Sequence, residues 1–235
     1  MSKDKHGVII VSGGMDSVTA AHLLRPSVDT MTILSIDYGQ RHRRELVFAE
    51  RAAYTLDARW HLVDLTSITS IIGSSSLTNP DIEVPDGHYA EETMKATVVP
   101  NRNAMMLDIA TAVAVAAQAE WVATAVHSGD HAIYPDCRPE FVEAYEAMAL
   151  VANEGFIHPQ FKVLTPFLYQ TKADIARTGS HLGVDWLDTW SCYKGGEIHC
   201  GSCSTCFERR EAMDLAGIED PTPYLATPVY SAPEA

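Results

Sequence analysis

The segment GVIIVSGGMDS, residues 7–17, decides the fold class of this chain. Residues 7–11 form a continuous apolar run, which is typical of a strand buried on both faces. A Ser-Gly-Gly turn follows, and residues 15–24 then read as a helix that ends before Pro26. We therefore predict a strand, a tight turn and a helix, which form the opening unit of a parallel α/β fold.

The turn of this unit has the composition of a phosphate-binding loop. Gly13 and Gly14 lack Cβ atoms, so phosphate oxygens can approach the backbone, and the N–H groups at the helix start favour an anion. Asp16 is explained if Mg²⁺ bridges it to phosphate. The alternative is a plain strand–helix turn with a serine N-cap. The predicted nucleotide contacts in the loop are Val11, Ser12, Gly13, Gly14, Met15, Asp16 and Ser17.

Strand and helix patterns continue to alternate along the chain. We predict further strands at 31–36, 60–65, 121–126 and 161–164, and helices at 45–56, 103–119, 138–153, 172–182 and 207–216. This order predicts a doubly wound, mostly parallel, Rossmann-like sheet with right-handed crossovers. Residues 73–100 break the rhythm and are predicted to form a long loop, a candidate lid or binding loop. We predict a nucleotide-binding α/β domain at 1–185 and a zinc-binding C-terminal region at 186–235.

The C-terminal region carries a cluster of cysteines. Cys192, Cys200, Cys203 and Cys206 have a spacing that suits tetrahedral Zn²⁺, and a site filled by four protein ligands is structural. An iron–sulfur cluster or a redox dithiol is the alternative, because the same thiolates would serve. His199 can replace one ligand, although four cysteines make it unnecessary.

Polar residues follow several predicted strands, where an open α/β sheet binds its ligands. Arg102 and Arg138 are candidate carboxylate clamps and, with Asp16, the candidate catalytic residues. Asp130 and Asp136 can accept hydrogen bonds from a heterocycle. Taken singly, each is more often a solvated loop residue. Asp37, Gln40 and Lys172 are further candidate nucleotide contacts, and Tyr134 is a candidate substrate contact.

Cys137 stands apart from the cysteine cluster, between Asp136 and Arg138. Its charged neighbours can lower the pKa of its thiol and make it a nucleophile. The alternative, a packed thiol near a site, is at least as common.

Bulk composition excludes some classes of protein. The chain has 235 residues and a formal net charge of -14, which argues against direct binding of tRNA or DNA. The N-terminus is polar, and no apolar run reaches the length of a signal or membrane segment, so we expect a cytoplasmic protein.

The loop at 12–17 resembles the phosphate loop of the adenine-nucleotide α-hydrolase superfamily, the PP-loop ATP pyrophosphatases. Four further stretches narrow the resemblance to the 7-cyano-7-deazaguanine synthase family: Asp37-Tyr38-Gly39-Gln40-Arg41-His42, Pro100-x-Arg102-Asn103, Tyr134-Pro135-Asp136-Cys137-Arg138, and Ser191-Cys192-Tyr193 with the later cysteines. The resemblance covers residues 7–220 in order. Asn101 departs from it, because many members have Gly there.

The resemblance implies a ligase of queuosine and 7-deazapurine biosynthesis that makes a nitrile. The carboxylate of 7-carboxy-7-deazaguanine would attack the ATP α-phosphate, and ammonia would displace AMP to give an amide. A second ATP would convert the amide to the nitrile. ATP, Mg²⁺ and structural Zn²⁺ are the implied cofactors, and a homodimer is the implied assembly. The rivals are a tRNA-modifying loop enzyme, which the net charge opposes, and a non-catalytic zinc-ribbon module, which the long α/β pattern opposes.

Overall fold

Five parallel strands form one sheet in the order β3-β2-β1-β4-β5 in the computed structural model, which describes residues 4–88 and 94–226. The strands are β1 (His6–Ile10), β2 (Thr30–Asp37), β3 (Arg59–Asp64), β4 (Trp121–Ala123) and β5 (Lys162–Leu164). Every predicted strand is present, which confirms the parallel α/β class. Strand β4 ends earlier than predicted, at Ala123, and residues 124–127 line the candidate site described below.

Within the described ranges the structure has seven α-helices. They are α1 (Met15–Leu24), α2 (Glu45–Thr55), α3 (Thr66–Ile72), α4 (Arg102–Ala117), α5 (Pro139–Ala152), α6 (Lys172–His181) and α7 (Ser204–Ala216). Helix α7 begins three residues before its predicted start, at Ser204, with Cys203 as its N-cap. None of the described helices combines the length and the apolar character needed to cross a bilayer.

The sequence missed α3, whose residues TSITSII are mostly β-branched or hydroxylated and have low helix propensity. Asp64 compensates at its start. The Asp64 carboxylate accepts hydrogen bonds from Thr66 N at 2.8 Å and Thr66 Oγ1 at 2.7 Å. Such side-chain bonds replace the partners that the first N–H groups of a helix lack.

Helices cover both faces of the sheet. Ile9 and Ile33 point to one face and pack with α1, α2, α6 and α7. Val8 and Leu34, their neighbours along the same strands, pack with α4 and α5 on the other face. Alternate residues of a strand point to opposite faces, so a strand buried on both sides needs the continuous apolar run that the sequence has. The doubly wound architecture is confirmed.

The C-terminal region packs directly on the sheet layer. Trp186 and Met213 belong to the same apolar cluster as Ile9. Fully buried Arg209 on α7 donates to Thr189 Oγ1 at 2.7 Å and to Trp186 O at 2.9 Å. These bonds fix α7 against the segment that precedes the cysteines. The division between residues 185 and 186 stays a prediction, and the two parts share a core.

The segment 73–100 is irregular in its described part, apart from a short 3-10 helix at Lys95–Thr97. Leu77 and Met94 are fully buried, and Gly87 N donates to Ser202 O at 3.0 Å. These contacts attach the segment to the core and to the cysteine region. Residues 89–93 of the predicted loop lie outside the described residues.

Candidate functional site

The predicted phosphate loop forms the turn between β1 and α1. Ser12 N and Ser12 Oγ each lie 3.2 Å from Ser17 Oγ, and Gly14 N donates to Ser12 Oγ at 3.2 Å. Helix α1 begins at Met15 without a side-chain cap. Its first N–H groups therefore have no side-chain cap and lie near two serine hydroxyls, and such a helix start suits an anion.

Gly13 is required by the backbone and by packing. Its φ is +97°, and a Cβ at this position would lie 2.0 Å from Glu45 O. Gly13 O also accepts from Trp190 N at 2.8 Å. The loop is therefore wedged between the start of α2 and the segment before the cysteines, so a side chain here would displace one of them.

A cavity of about 200 Å³ opens beside the loop, between the carboxyl ends of β1 and β4. This is the point where strand order reverses, the usual ligand site of an open α/β sheet. The predicted site residues that line it are Val11, Ser12, Gly14, Met15, Asp16, Ser17, Arg102, Asp130, Tyr134 and Lys172. Gly13, Asp37, Gln40, Asp136 and Arg138 are not part of its lining.

Charged groups concentrate at the loop end of the cavity. Lys172 Nζ lies 3.1 Å from Asp16 Oδ2 and 2.6 Å from Glu208 Oε2. His127 Nε2 lies 3.8 Å from Asp16 Oδ2, 3.6 Å from Asp130 Oδ2 and 4.0 Å from Glu208 Oε1. Burial raises the pKa of Glu208, and the nearby Lys172 opposes that shift.

These groups leave the loop end rich in negative charge. Asp16, Asp130 and Glu208 supply three carboxylates near the ammonium of Lys172. In addition, Asp16 Oδ1 is buried and has no hydrogen-bond partner within the described part of the chain. A free carboxylate oxygen in such surroundings is the ligand type that Mg²⁺ prefers. The residues therefore fit a divalent cation that accompanies a phosphate chain.

Arg102 occupies the other end of the cavity, among aromatic rings. Its Cζ lies 5.9 Å from the Tyr38 ring centre and 5.8 Å from the Tyr134 ring centre. No carboxylate in residues 4–88 or 94–226 forms an ion pair with it. An arginine beside a cavity with no carboxylate partner is a site for an anionic ligand group.

Glu45 and His42 lie at the same end as Arg102. Burial raises the pKa of Glu45 to about 8, and the Gln40 hydrogen bond and Arg102 oppose that shift. Burial, with a smaller effect of Arg102, lowers the pKa of His42 to about 3. Both side chains line the cavity, and burial favours the neutral form of each.

Asp37 and Gln40 support the turn after β2. Asp37 Oδ1 accepts from Gly39 N at 3.0 Å, and its other oxygen pairs with Arg43. Gln40 Nε2 donates to Ile36 O at 3.1 Å and to Glu45 Oε1 at 3.0 Å. Their nucleotide contacts stay predictions, because the structure shows these side chains engaged with the protein itself.

The candidate substrate residues at 134–138 lie in different places: Tyr134 lines the cavity, and Asp136 and Arg138 do not. The Tyr134 hydroxyl lies 2.7 Å from Thr97 Oγ1. Asp136 Oδ2 accepts from Asn103 N at 3.1 Å, at the start of α4. Arg138 is exposed, and its Nε donates to His131 O at 2.7 Å. The roles of Asp136 and Arg138 in substrate binding stay predictions with no contact to the cavity.

Cys137 is buried and lines the cavity. Burial raises the pKa of its thiol, with Asp130 and Asp136 adding to the shift. Its Sγ accepts from Asn103 Nδ2 at 3.1 Å. A thiol kept protonated in this way is a poor nucleophile, so the structure favours the packed-thiol interpretation.

The four clustered cysteines converge at one point. Their Sγ atoms all lie within 4.8 Å of one another. Cys200 Sγ accepts from Ser202 N at 3.4 Å and from Cys203 N at 3.3 Å. Hydrogen bonding, first of all with Cys192, lowers the pKa of Cys200 and Cys203, whereas hydrogen bonding among the same thiols raises the pKa of Cys192 and Cys206. Four protein sulfurs this close together fit a closed tetrahedral metal site.

Two contacts connect the cysteine region to the cavity. Trp190 precedes Cys192, and its N–H bonds the phosphate loop at Gly13 O. Glu208 follows Cys206 on α7 and pairs with Lys172. The His199 ring packs against Trp190 at a tilt of 39°, with ring centres 4.2 Å apart, and accepts from Ser191 N at 3.0 Å. It supports the segment between loop and cluster.

Several residues that line the cavity were not predicted from the sequence. They are His42, Glu45, His127, Trp190, Tyr193, Thr205 and Glu208. His42 and Tyr193 lie inside stretches that the sequence analysis named, at 37–42 and 191–193. Glu208 had a usable signal, since it follows Cys206 by two residues at the start of a helix. The sequence alone gave no indication that this helix faces the phosphate loop.

The fold and the site define a parallel α/β protein with a phosphate-binding loop and a four-cysteine cluster. A family model described as "Queuosine biosynthesis protein QueC" matches residues 6–217. The 7-cyano-7-deazaguanine synthase of Ruegeria pomeroyi is 54% identical over 217 residues, or 92% of this chain and 93% of that protein. That of Rhizobium johnstonii is 54% identical over 92% of this chain and 91% of its own.

The chain belongs to the QueC family of queuosine biosynthesis proteins, which confirms the resemblance seen in the sequence. Among solved structures, NMN synthetase from Francisella tularensis matches with a TM-score of 0.50 at 16% identity. The match covers 92% of this chain and 79% of that one. This likeness shows a shared fold.

Proposed function

We propose that this chain is a 7-cyano-7-deazaguanine synthase. It converts 7-carboxy-7-deazaguanine and ammonia to the nitrile and cleaves ATP to AMP and pyrophosphate. The observation that carries the proposal is one cavity with two chemically different ends. The phosphate loop lies at one end, and Arg102, which has no ion-pair partner in the described ranges, lies at the other.

The loop end binds the β- and γ-phosphates, which leave as pyrophosphate. Backbone N–H groups and the hydroxyls of Ser12 and Ser17 donate to phosphate oxygens, and Lys172 neutralises part of their charge. Asp16 would hold Mg²⁺ through its free Oδ1, and the ion would supply charge neutralisation on the phosphate chain. A cation is needed because the carboxylates at this end otherwise repel the triphosphate.

Arg102 binds the carboxylate of the acid and orients it towards the α-phosphate. The bond from carboxylate oxygen to α-phosphorus forms, and the bond to the pyrophosphate oxygen breaks. Ammonia then displaces AMP to give the amide. A second ATP activates the amide oxygen, and departure of AMP with loss of protons leaves the nitrile. Positioning and charge neutralisation carry these steps, and no covalent enzyme intermediate is required.

The cysteine cluster is proposed to hold structural Zn²⁺ on Cys192, Cys200, Cys203 and Cys206. Support comes from the four converging sulfurs, whose number matches the four protein ligands of a structural zinc site. Elemental analysis of protein purified without oxygen tests this assignment. Zinc near one equivalent is expected, and iron with a brown chromophore would refute it.

We further propose a cytoplasmic homodimer with no direct nucleic-acid partner. The net charge of -14 disfavours a nucleic-acid surface. Exposed apolar side chains such as Val151 and Phe156, 79% and 74% accessible, are candidates for a subunit interface. Light scattering of the purified protein measures the assembly directly, and a monomer at working concentration would contradict the proposal.

The reaction itself is tested with purified protein, 7-carboxy-7-deazaguanine, Mg²⁺, ATP and ¹⁵N-ammonium. We expect a labelled nitrile by mass spectrometry, with two AMP and two pyrophosphate formed per nitrile. One AMP per product with accumulated amide would show that the reaction ends at the amide. Absence of both labelled products would refute the proposal, and so would ADP as the nucleotide product.

Arg102→Met is the informative variant for this assay. We expect it to lose acid-dependent AMP formation, because the acid loses its counter-ion. Asp214→Asn, an exposed acidic residue on α7, serves as the control and should match the unmodified protein. Full activity in Arg102→Met would remove the carboxylate-binding role of Arg102.

A further inference from the structure

Glu45 and His42 form a buried polar pair in the cavity that the reaction steps above do not use. Glu45 begins α2, and His42 lies three residues earlier in the turn after β2. His42 Nε2 lies 3.5 Å from Glu45 Oε1, and the two side chains are 3% and 9% exposed. Both line the cavity. Burying two ionisable groups is costly unless hydrogen bonds or a ligand compensate for the lost water.

The protein satisfies this pair only in part. Gln40 Nε2 donates to Glu45 Oε1 at 3.0 Å. His42 Nδ1 is buried and has no hydrogen-bond partner in the described ranges. The His42 ring also packs against Tyr193, with centres 4.8 Å apart. A buried nitrogen without a partner costs free energy that a bound ligand can recover.

A purely structural role explains the pair less well. A carboxyl in the first turn of a helix is favoured by the helix dipole and helps to hold the neighbouring turn. That role needs an ionised group, whereas burial keeps Glu45 largely protonated at neutral pH. It also leaves the Nδ1 of His42 unexplained. A protonated carboxyl and a neutral imidazole each provide one donor and at least one acceptor, which suits a neutral ligand edge.

The position of Arg102 indicates which ligand meets this pair. Glu45 and His42 both respond electrostatically to Arg102, so the three groups lie at one end of the cavity. In the proposed function Arg102 holds the carboxylate of the acid. The ring system attached to that carboxylate then lies among Tyr38, Tyr134 and Tyr193, within the same lining as Glu45 and His42. Aromatic faces suit a planar heterocycle.

We infer that Glu45 and His42 recognise the lactam edge of the substrate heterocycle, its ring carbonyl and adjacent ring N–H. The inference rests on the proposed function and names the residues that select a 7-deazaguanine ring over rings without this edge. The ring carbonyl would accept a hydrogen bond from the pair, and the ring N–H would donate one to it. An analogue that lacks the carbonyl leaves buried protein groups unpaired and should be rejected strongly.

The test compares 7-carboxy-7-deazaguanine with its analogue that lacks the ring carbonyl, 7-carboxy-7-deaza-2-aminopurine. Acid-dependent AMP formation gives kcat/KM for each. We expect the unmodified protein to prefer the natural acid by about 100-fold or more, the behaviour of sites that bind a polar edge. In Glu45→Leu the preference should fall below about tenfold, while KM for ATP stays within about threefold.

Glu50→Leu is the matched control, since Glu50 lies on the exposed face of α2. It should keep both the preference and the KM for ATP. Metal content and the unfolding midpoint show whether Glu45→Leu is folded. If that variant does not fold, the unmodified protein still tests the inference. A preference for the natural acid below about tenfold in the unmodified protein would overturn it.

The remaining outcomes are also decisive. Full preference in a folded Glu45→Leu protein would overturn the inference. A raised KM for ATP with the preference intact would assign the pair to the adenine instead. If the unmodified protein forms no AMP with either acid, the proposed function has failed, which is a different result from loss of selectivity.

Discussion

Replacing Lys172 by methionine removes a cation that contacts both the phosphate loop and the helix after the cysteine cluster. Lys172 Nζ lies 3.1 Å from Asp16 Oδ2 and 2.6 Å from Glu208 Oε2. Methionine keeps the length and the apolar stem of lysine. The substitution therefore leaves two carboxylates close together in a partly buried place without their shared counter-ion.

The expected loss of stability follows from the burial of the three groups. Side-chain exposure is 15% for Lys172, 22% for Asp16 and 11% for Glu208. Removing one partner of a buried ion pair costs about 3–5 kcal/mol, and partial exposure of Asp16 places this case at the lower end, about 3 kcal/mol. For a domain of this size that corresponds to a fall in Tm of about 6–12 °C.

The pH dependence of the variant has a definite sign. Burial already raises the pKa of Glu208, and removal of Lys172 raises it further. A carboxyl whose folded pKa lies above its unfolded value binds more protons when folded. Its contribution is present below the unfolded pKa and is lost as pH rises through the folded pKa. Lys172→Met should therefore be closer to the unmodified protein at pH 5 than at pH 8.

Urea unfolding at pH 5 and pH 8 measures this, with Glu208→Gln and the double variant completing a cycle. The glutamine side chain carries no charge that could be left without a counter-ion. We therefore expect the double variant to lose less stability than the two single variants together, by about 1–3 kcal/mol. The reasoning is refuted if Lys172→Met loses less than about 1 kcal/mol at pH 8 and the cycle shows no coupling.

Three further predictions follow from other parts of the molecule. Cys203→Ala should lose bound metal and lower the unfolding midpoint, and full metal content would contradict the closed site. Gly13→Ala should lower the free energy of unfolding by about 2–3 kcal/mol and abolish AMP formation, because its Cβ would lie 2.0 Å from a backbone oxygen. The control is Gly155→Ala, at φ +82° with open space around it, which should lower the free energy of unfolding by about 1 kcal/mol and keep activity. Burial raises the pKa of Glu45 to about 8, so the unmodified protein loses stability as pH rises from 5 to 8, whereas Glu45→Gln does not. In urea unfolding, the free energy of unfolding of Glu45→Gln should therefore rise relative to that of the unmodified protein by up to about 1.4 kcal/mol per pH unit. A difference that stays constant with pH would contradict the raised pKa.

Local signals in the sequence were enough for most of the fold. Strands β1 and β2 each carried their own apolar run, and each run proved to be buried on both faces. At Asn101, before α4, φ is +57°, a conformation that suits glycine and that asparagine tolerates. Helix α3 was missed because hydrogen bonds from Asp64 stabilise its start, while its own residues favour other structures.

The sequence predicted part of the cavity lining. Most residues of the loop at 12–17 line it, and so do Arg102 and Lys172 from distant segments. Glu208 and Trp190 reach the cavity from the far end of the chain, and no spacing in the sequence reveals that approach. Asp37 and Arg138 had suitable chemistry, but nearby protein groups already engage them. Side-chain direction decides such cases, and sequence alone does not specify it.

The link between the cysteines and the loop has a consequence for how the protein uses energy. Trp190 and Glu208 flank the cluster on its two sides, and each holds one part of the phosphate site. We expect a chain without the proposed metal to lose both supports. Such a chain should not hydrolyse ATP, so a shortage of the metal would leave the enzyme inactive without consuming ATP.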